Sequence, residues 1–205
     1  MKNPKRKIII FYQDEIYYSL IGMLIFIVIA FFISKPTANN DIYNQLLASN
    51  RILSDFSFRD VGQHPVGIAS VAAILRLFNL DPLIFLYYLQ PFLAGACFVI
   101  LFGILSNNLP NVFAFFLALS SMSSLILIKA MNQVTAEIIS LTIILILLAY
   151  VWKHIILDRN HNIISAVIMI LLSWIVILFR HTSIFIVIGI LLFLFIRKNY
   201  RKIHL

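Results

Sequence analysis

Charge is what this chain has least of. Only 12% of its 205 residues are Asp, Glu, Lys or Arg, against 62% hydrophobic, so a soluble domain of this length would expose large apolar patches. Cysteine is nearly missing too. Cys97 stands alone, which excludes an intrachain disulfide and a metal site built from cysteines. No internal repeat, low-complexity tract or second soluble domain is found along the sequence. The first apolar run follows a basic start, as a signal peptide does, yet lacks a small-residue cleavage site before the next polar segment. It reads as a retained first span.

What remains is a set of uncharged stretches near the ~20 residues that cross a bilayer. Helical spans are expected over 16–33, 83–105, 112–128, 138–152, 163–179 and 183–196, since lipid offers no partner to an open backbone. The expected fold is all-α, one polytopic membrane bundle over 1–205 with about six spans. The net charge of +8 does not point to nucleic acid, because the basic residues gather at the two ends, as Lys2, Lys5, Arg6 and Lys7 and as Arg197, Lys198, Arg201 and Lys202. With both termini cytoplasmic, that side carries ten Lys and Arg and the other side six, the bias that orients membrane proteins. Segment 66–78 is apolar but too short to cross, and reads as a helix at the membrane surface.

Residues 34–82 form the expected external loop. Ile42, Leu46, Leu47 and Leu53 approximate helical spacing, with Asn44, Gln45 and Arg51 left to the other face, which predicts an interfacial amphipathic helix. Asp81-Pro82 is a start signal for the helix that follows.

Under this topology Asp41, Asp60, His64, Glu137, Arg180 and His181 share the external side. Asp41 suits an N-cap, its carboxylate accepting backbone N–H bonds. Its alternative role is a general base in a partly dehydrated cleft. Tyr43 is an ordinary interfacial tyrosine or a stacking surface for a sugar or lipid. Asp60 is spaced to orient His64, but two ligands do not make a metal site. Glu137 either complements a helix dipole or holds an acceptor or a metal-bound phosphate, with Lys129 nearby; a divalent cation stays open on these residues. Arg180 interrupts a nearly continuous apolar region, where a guanidinium needs an anion or a route to water, and its planar donors suit a lipid phosphate. Snorkelling to headgroups is the simpler alternative.

The order Asn40-Asp41-Ile42-Tyr43, Gln63-His64-Pro65, Val134-Thr135-Ala136-Glu137 and Leu178-Phe179-Arg180 resembles the N-terminal membrane core of GT-C glycosyltransferases, the group of protein mannosyltransferases and lipid A aminoarabinose transferases. The resemblance covers roughly 16–196. It implies a polyprenyl-phosphate sugar as donor and transfer on the extracytoplasmic face. Asp41 is then the catalytic base, Arg180 binds the donor phosphate, and Tyr43, Asp60, His64 and Glu137 contact substrate. Two features depart from the group: Asp41 has no adjacent second carboxylate, and His181 stands where proline often follows the arginine. Family members are also longer.

The function expected is sugar transfer from that donor to an acceptor. The rivals are a truncated, non-catalytic lipid-phosphate-binding subunit of a larger transferase, and a small transporter or flippase lined by Glu137 and Arg180. With no long lumenal domain or glycosylation-rich loop, the expected location is a bacterial cytoplasmic membrane, among membrane lipids.

Overall fold

The structure is a computed structural model that describes residues 5–33, 40–57, 66–123, 136–153 and 163–203. Among these, all regular structure is helical. The elements are α1 (Lys5–Val28), running into a π turn at Ile29–Ile33, α2 (Asn40–Asp55), α3 (Val66–Leu77) and α4 (Pro82–Ser106). Then come α5 (Asn111–Met122), α6 (Ala136–Tyr150), α7 (Ile163–Phe179), a 3-10 turn at His181–Ser183 and α8 (Ile184–Ile203).

Local chemistry sets several boundaries. Asp81 caps α4, its Oδ1 accepting from the Leu83 and Ile84 amides at 2.8 and 3.2 Å, with Pro82 at the first helical position. α3 ends in a Schellman turn: Leu80 N–H donates to Leu75 O and Asn79 N–H to Arg76 O, both at 3.0 Å, while Asn79 takes φ 56°. Asparagine tolerates that left-handed conformation better than most residues. Pro91 lies inside α4 and is buried, removing the amide that would bond to the Tyr87 carbonyl.

Two helices are long and apolar enough to cross a membrane, Pro82–Ser106 and Ala136–Lys153, matching the expected runs 83–105 and 138–152. The expected count of six is not reached by helix length. α7, with 17 residues, and the apolar part of α8 are shorter, and the run expected at 112–128 is helical only to Met122 within the described residues. Its 12 residues rise about 18 Å, short of a ~30 Å hydrocarbon core. The helix expected to start at Ile16 begins at Lys5. Helices form over the two segments expected at the membrane surface, as α2 and α3, but Asp41 is the second residue of α2 and not its cap.

Aromatic contacts give the directions. α1 runs antiparallel to α4, with Tyr18 against Phe102 (6.1 Å between ring centroids), Phe26 against Phe98 (5.6 Å) and Phe31 against Tyr88 and Phe92 (6.4 Å each). α6 runs parallel to α4: Leu86 and Ile139 share a buried cluster, Cys97 Sγ meets Thr142 Oγ1 at 3.1 Å, and Phe102 and Leu145 share the central core. α7 returns so that Phe179 joins Leu86 and Ile139. One end of the bundle therefore gathers the end of α1, the starts of α4, α6 and α8, and the end of α7.

Candidate functional site

At that end α2 and α3 form an antiparallel pair. Ala48 and Ile52 pack on Ala69 and Ala73, small residues that bring the helices close. From the last turn of α3, the Arg76 guanidinium donates to the Asn50 side chain and, at 3.4 Å, to the Leu46 carbonyl. Ile42 and Leu46 of α2 then join Ile68, Ala72, Leu86, Ile139 and Phe179 in one cluster drawn from five helices.

Gly67 fixes how α3 meets α7. A Cβ at this position would lie 2.8 Å from two ring atoms of Phe179 and 2.9 Å from the Leu178 carbonyl oxygen, so only glycine allows this approach. The segment that begins just after His64 and Pro65 is thereby held against the residues just before Arg180. α6 is tied to the same place by the buried Ser140 and Ser183 hydroxyls, 3.3 Å apart. Arg180 itself is extended (φ −153°, ψ 108°), leaves α7 with its N–H on the Val176 carbonyl, and is exposed. Its Nε donates to Thr182 Oγ1 at 3.1 Å, and it has no carboxylate partner among the described residues. Glu137 sits half-buried in the first turn of α6, two residues before the buried Ile139 of the cluster.

The sequence-predicted residues thus divide. Glu137, Arg180, His181 and the start of α3 converge. Asp41, at the start of α2, comes in from the other side: the antiparallel pairing puts it toward the end of α3, where the chain turns into α4. α3 is 12 residues, about 18 Å, so Asp41 and the start of α3 stand a helix length apart, both bordering the same cluster. Tyr43 is 50% exposed on α2. Asp60, His64 and Lys129 lie outside the described residues. Among the described residues no three His, Cys, Asp or Glu side chains gather as metal ligands.

One residue of this end was missed by the sequence reading. Gln45, assigned above to the polar face of its helix, is 6% exposed, and its Oε1 is buried with no hydrogen-bond partner among the described residues. The available signal was its register: Ile42, Gln45, Ser49 and Ile52 fall on one helical stripe.

Comparison with protein families, with curated proteins and with solved structures gives no match to this chain.

Proposed function

We propose that the chain is a polytopic membrane protein that transfers a sugar from a polyprenyl-phosphate donor on the extracytoplasmic face, in the manner of GT-C glycosyltransferases. The membrane reading is supported by how the apolar side chains are used. In the most apolar windows of α4 and α6 only 39% of residues are buried, whereas a core helix of a soluble protein hides most of its apolar surface. Ile163, Trp174, Phe185 and Phe195, on α7 and α8, are exposed by more than 60% each. Hydrocarbon covers such a surface at no cost, and water does not. Six crossings, with the bilayer thinned around the shorter helices, leave both basic termini cytoplasmic.

The observation that carries the catalytic reading is the convergence at one bundle end of the starts of α3 and α6 with the end of α7, with the start of α2 on the far side of the same cluster. Asp41 and Arg180 border one cluster from opposite sides. An inverting displacement uses base and leaving group on opposite faces of the anomeric carbon, so substrate bound across the cluster would bring the two sides together. The acceptor hydroxyl gives its proton to the Asp41 carboxylate while its oxygen bonds to the anomeric carbon. The bond from that carbon to the phosphate oxygen breaks, and the electron pair leaves on the phosphate. Arg180, with His64, meets the developing charge with N–H donors. Tyr43, Asp60 and Glu137 hold sugar and acceptor.

The test is sugar release from radiolabelled polyprenyl-phosphate sugars by purified protein. Asp41→Asn should lower turnover about a hundred- to ten-thousandfold without unfolding the protein. Normal turnover by folded Asp41→Asn protein would remove Asp41 from the mechanism. A second reading is favoured by the exposed Arg180 with no acidic partner among the described residues: a lipid-phosphate-binding subunit of a larger transferase. Donor binding lost in Arg180→Ala, with no turnover by the unaltered chain, is the result that selects it.

A further inference from the structure

Among the buried polar side chains of α2, Gln45 stands out. The buried hydroxyls at this end of the bundle are satisfied: Ser49 donates to the Leu46 carbonyl at 2.6 Å, and Ser140 and Ser183 bond to each other. Gln45 is more than nine-tenths buried, yet its amide oxygen accepts no hydrogen bond from the described residues. A buried carbonyl without a donor is costly, and an apolar residue of similar length would have served the packing better. Its place on α2 gives the reason for keeping it. It lies one turn after Asp41, on the same buried stripe as Ile42, at the edge of the cluster where α2, α4, α6 and α7 meet.

We infer that Gln45 is a substrate-positioning residue, whose Oε1 accepts a hydrogen bond from a substrate hydroxyl held one helical turn from Asp41. The inference rests on the transferase reading and adds a residue that the resemblance does not supply. The chemistry required is a hydrogen-bond donor, which a sugar or acceptor hydroxyl supplies and an anion does not, because an amide oxygen repels phosphate and carboxylate. Such a hydroxyl comes from the donor's sugar or from the acceptor, and the two are separable.

The experiment uses the full chain in phospholipid nanodiscs, unaltered and as Gln45→Met, which keeps the length and removes the amide oxygen. Binding is measured for polyprenyl phosphate, polyprenyl-phosphate glucose and polyprenyl-phosphate mannose, and sugar transfer is followed in native membranes. A sugar hydroxyl on Gln45 predicts sugar-bearing lipid bound about five- to tenfold more weakly by the variant, with sugar-free lipid bound equally. Equal binding of all three lipids with transfer reduced by a similar factor assigns the hydroxyl to the acceptor. Equal binding and equal transfer overturn the inference. So does weakening of sugar-free and sugar-bearing lipid alike, which is the signature of a residue that only packs. Where Gln45→Met fails to fold, Gln45→Leu makes the same comparison. Unaltered protein that binds none of the lipids removes the transferase reading and this inference with it; binding by unaltered protein with no effect of the variant removes this inference alone.

Discussion

Gly67→Ala is the sharpest test of how the site is held together. The new methyl would sit 2.8 Å from the Cγ and Cδ1 atoms of Phe179 and 2.9 Å from the Leu178 carbonyl oxygen, against an ordinary carbon contact of about 3.5–4.0 Å. Phe179 is itself buried, and a main-chain oxygen cannot swing aside, so α3 must back away from α7. Forced overpacking of this kind costs about 1–3 kcal/mol. Replacing a helical glycine by alanine returns up to about 1 kcal/mol. Gly103→Ala isolates the two effects, because nothing lies within 4 Å of a Cβ there and only the helix-propensity gain applies. To first order that gain cancels in the comparison. The two variants should therefore differ by about 1–3 kcal/mol, with Gly67→Ala the less stable. Reversible unfolding in mixed micelles, followed by the fluorescence of Trp152 and Trp174, measures the difference. Equal stabilities would refute the close approach of α3 and α7. In the same protein, the retreat of α3 should weaken polyprenyl-phosphate binding, since Arg180 directly follows Phe179.

Gly22→Ala tests the α1–α4 contact: its Cβ would fall 1.8 Å from Phe98 Cε1, in a ring cluster with Phe26, Phe102 and Phe115. A loss near or above the upper end of the overpacking range, about 3 kcal/mol, is expected in the same unfolding assay, with partial recovery when Phe98→Leu is added. No loss would mean that α1 does not lie this close to α4. Ser140→Ala and Ser183→Ala, combined in a double-mutant cycle, should show a coupling of about 0.6 kcal/mol, the usual size for a hydroxyl bond between membrane helices. Additive effects would mean that α6 and the turn after Arg180 are not joined there.

Most of the helical fold was legible because it follows from one-dimensional signals. Asp81-Pro82 announced α4, the apolar runs announced α4, α6 and α7, and the spacing of Ile42, Leu46, Leu47 and Leu53 announced α2, although Leu47 turns out 65% exposed, off the buried stripe. The apolar runs also anticipated that the starts of α4 and α6 and the end of α7 would lie at one end of the bundle. Length was less legible: α5 has 12 residues before Ser123, which hydropathy alone did not reveal. The contacts that assemble the site were not legible either. Gly67 looks like any glycine in an apolar helix, and only the path of α7 shows that a side chain there would strike Phe179. Ser140 and Ser183 are 43 residues apart, and no local pattern pairs them.

Gln45 was misread for a physical reason that bears on the site itself. A polar residue on an amphipathic helix is assigned to water, and Asn44 and Arg51 of the same helix are indeed exposed. Burying an amide is the costlier choice, so it carries more information than an exposed one. The deeper polar contact of the core, Thr142, returns its hydroxyl to the Ile138 carbonyl at 2.7 Å and needs nothing from outside. Gln45 has no such solution for its oxygen among the described residues. A helix lying only at an interface gains nothing from an unsatisfied amide on its buried face. A helix that takes a hydroxyl-bearing ligand between itself and its neighbours gains both the donor that this oxygen lacks and a means of holding that hydroxyl near Asp41.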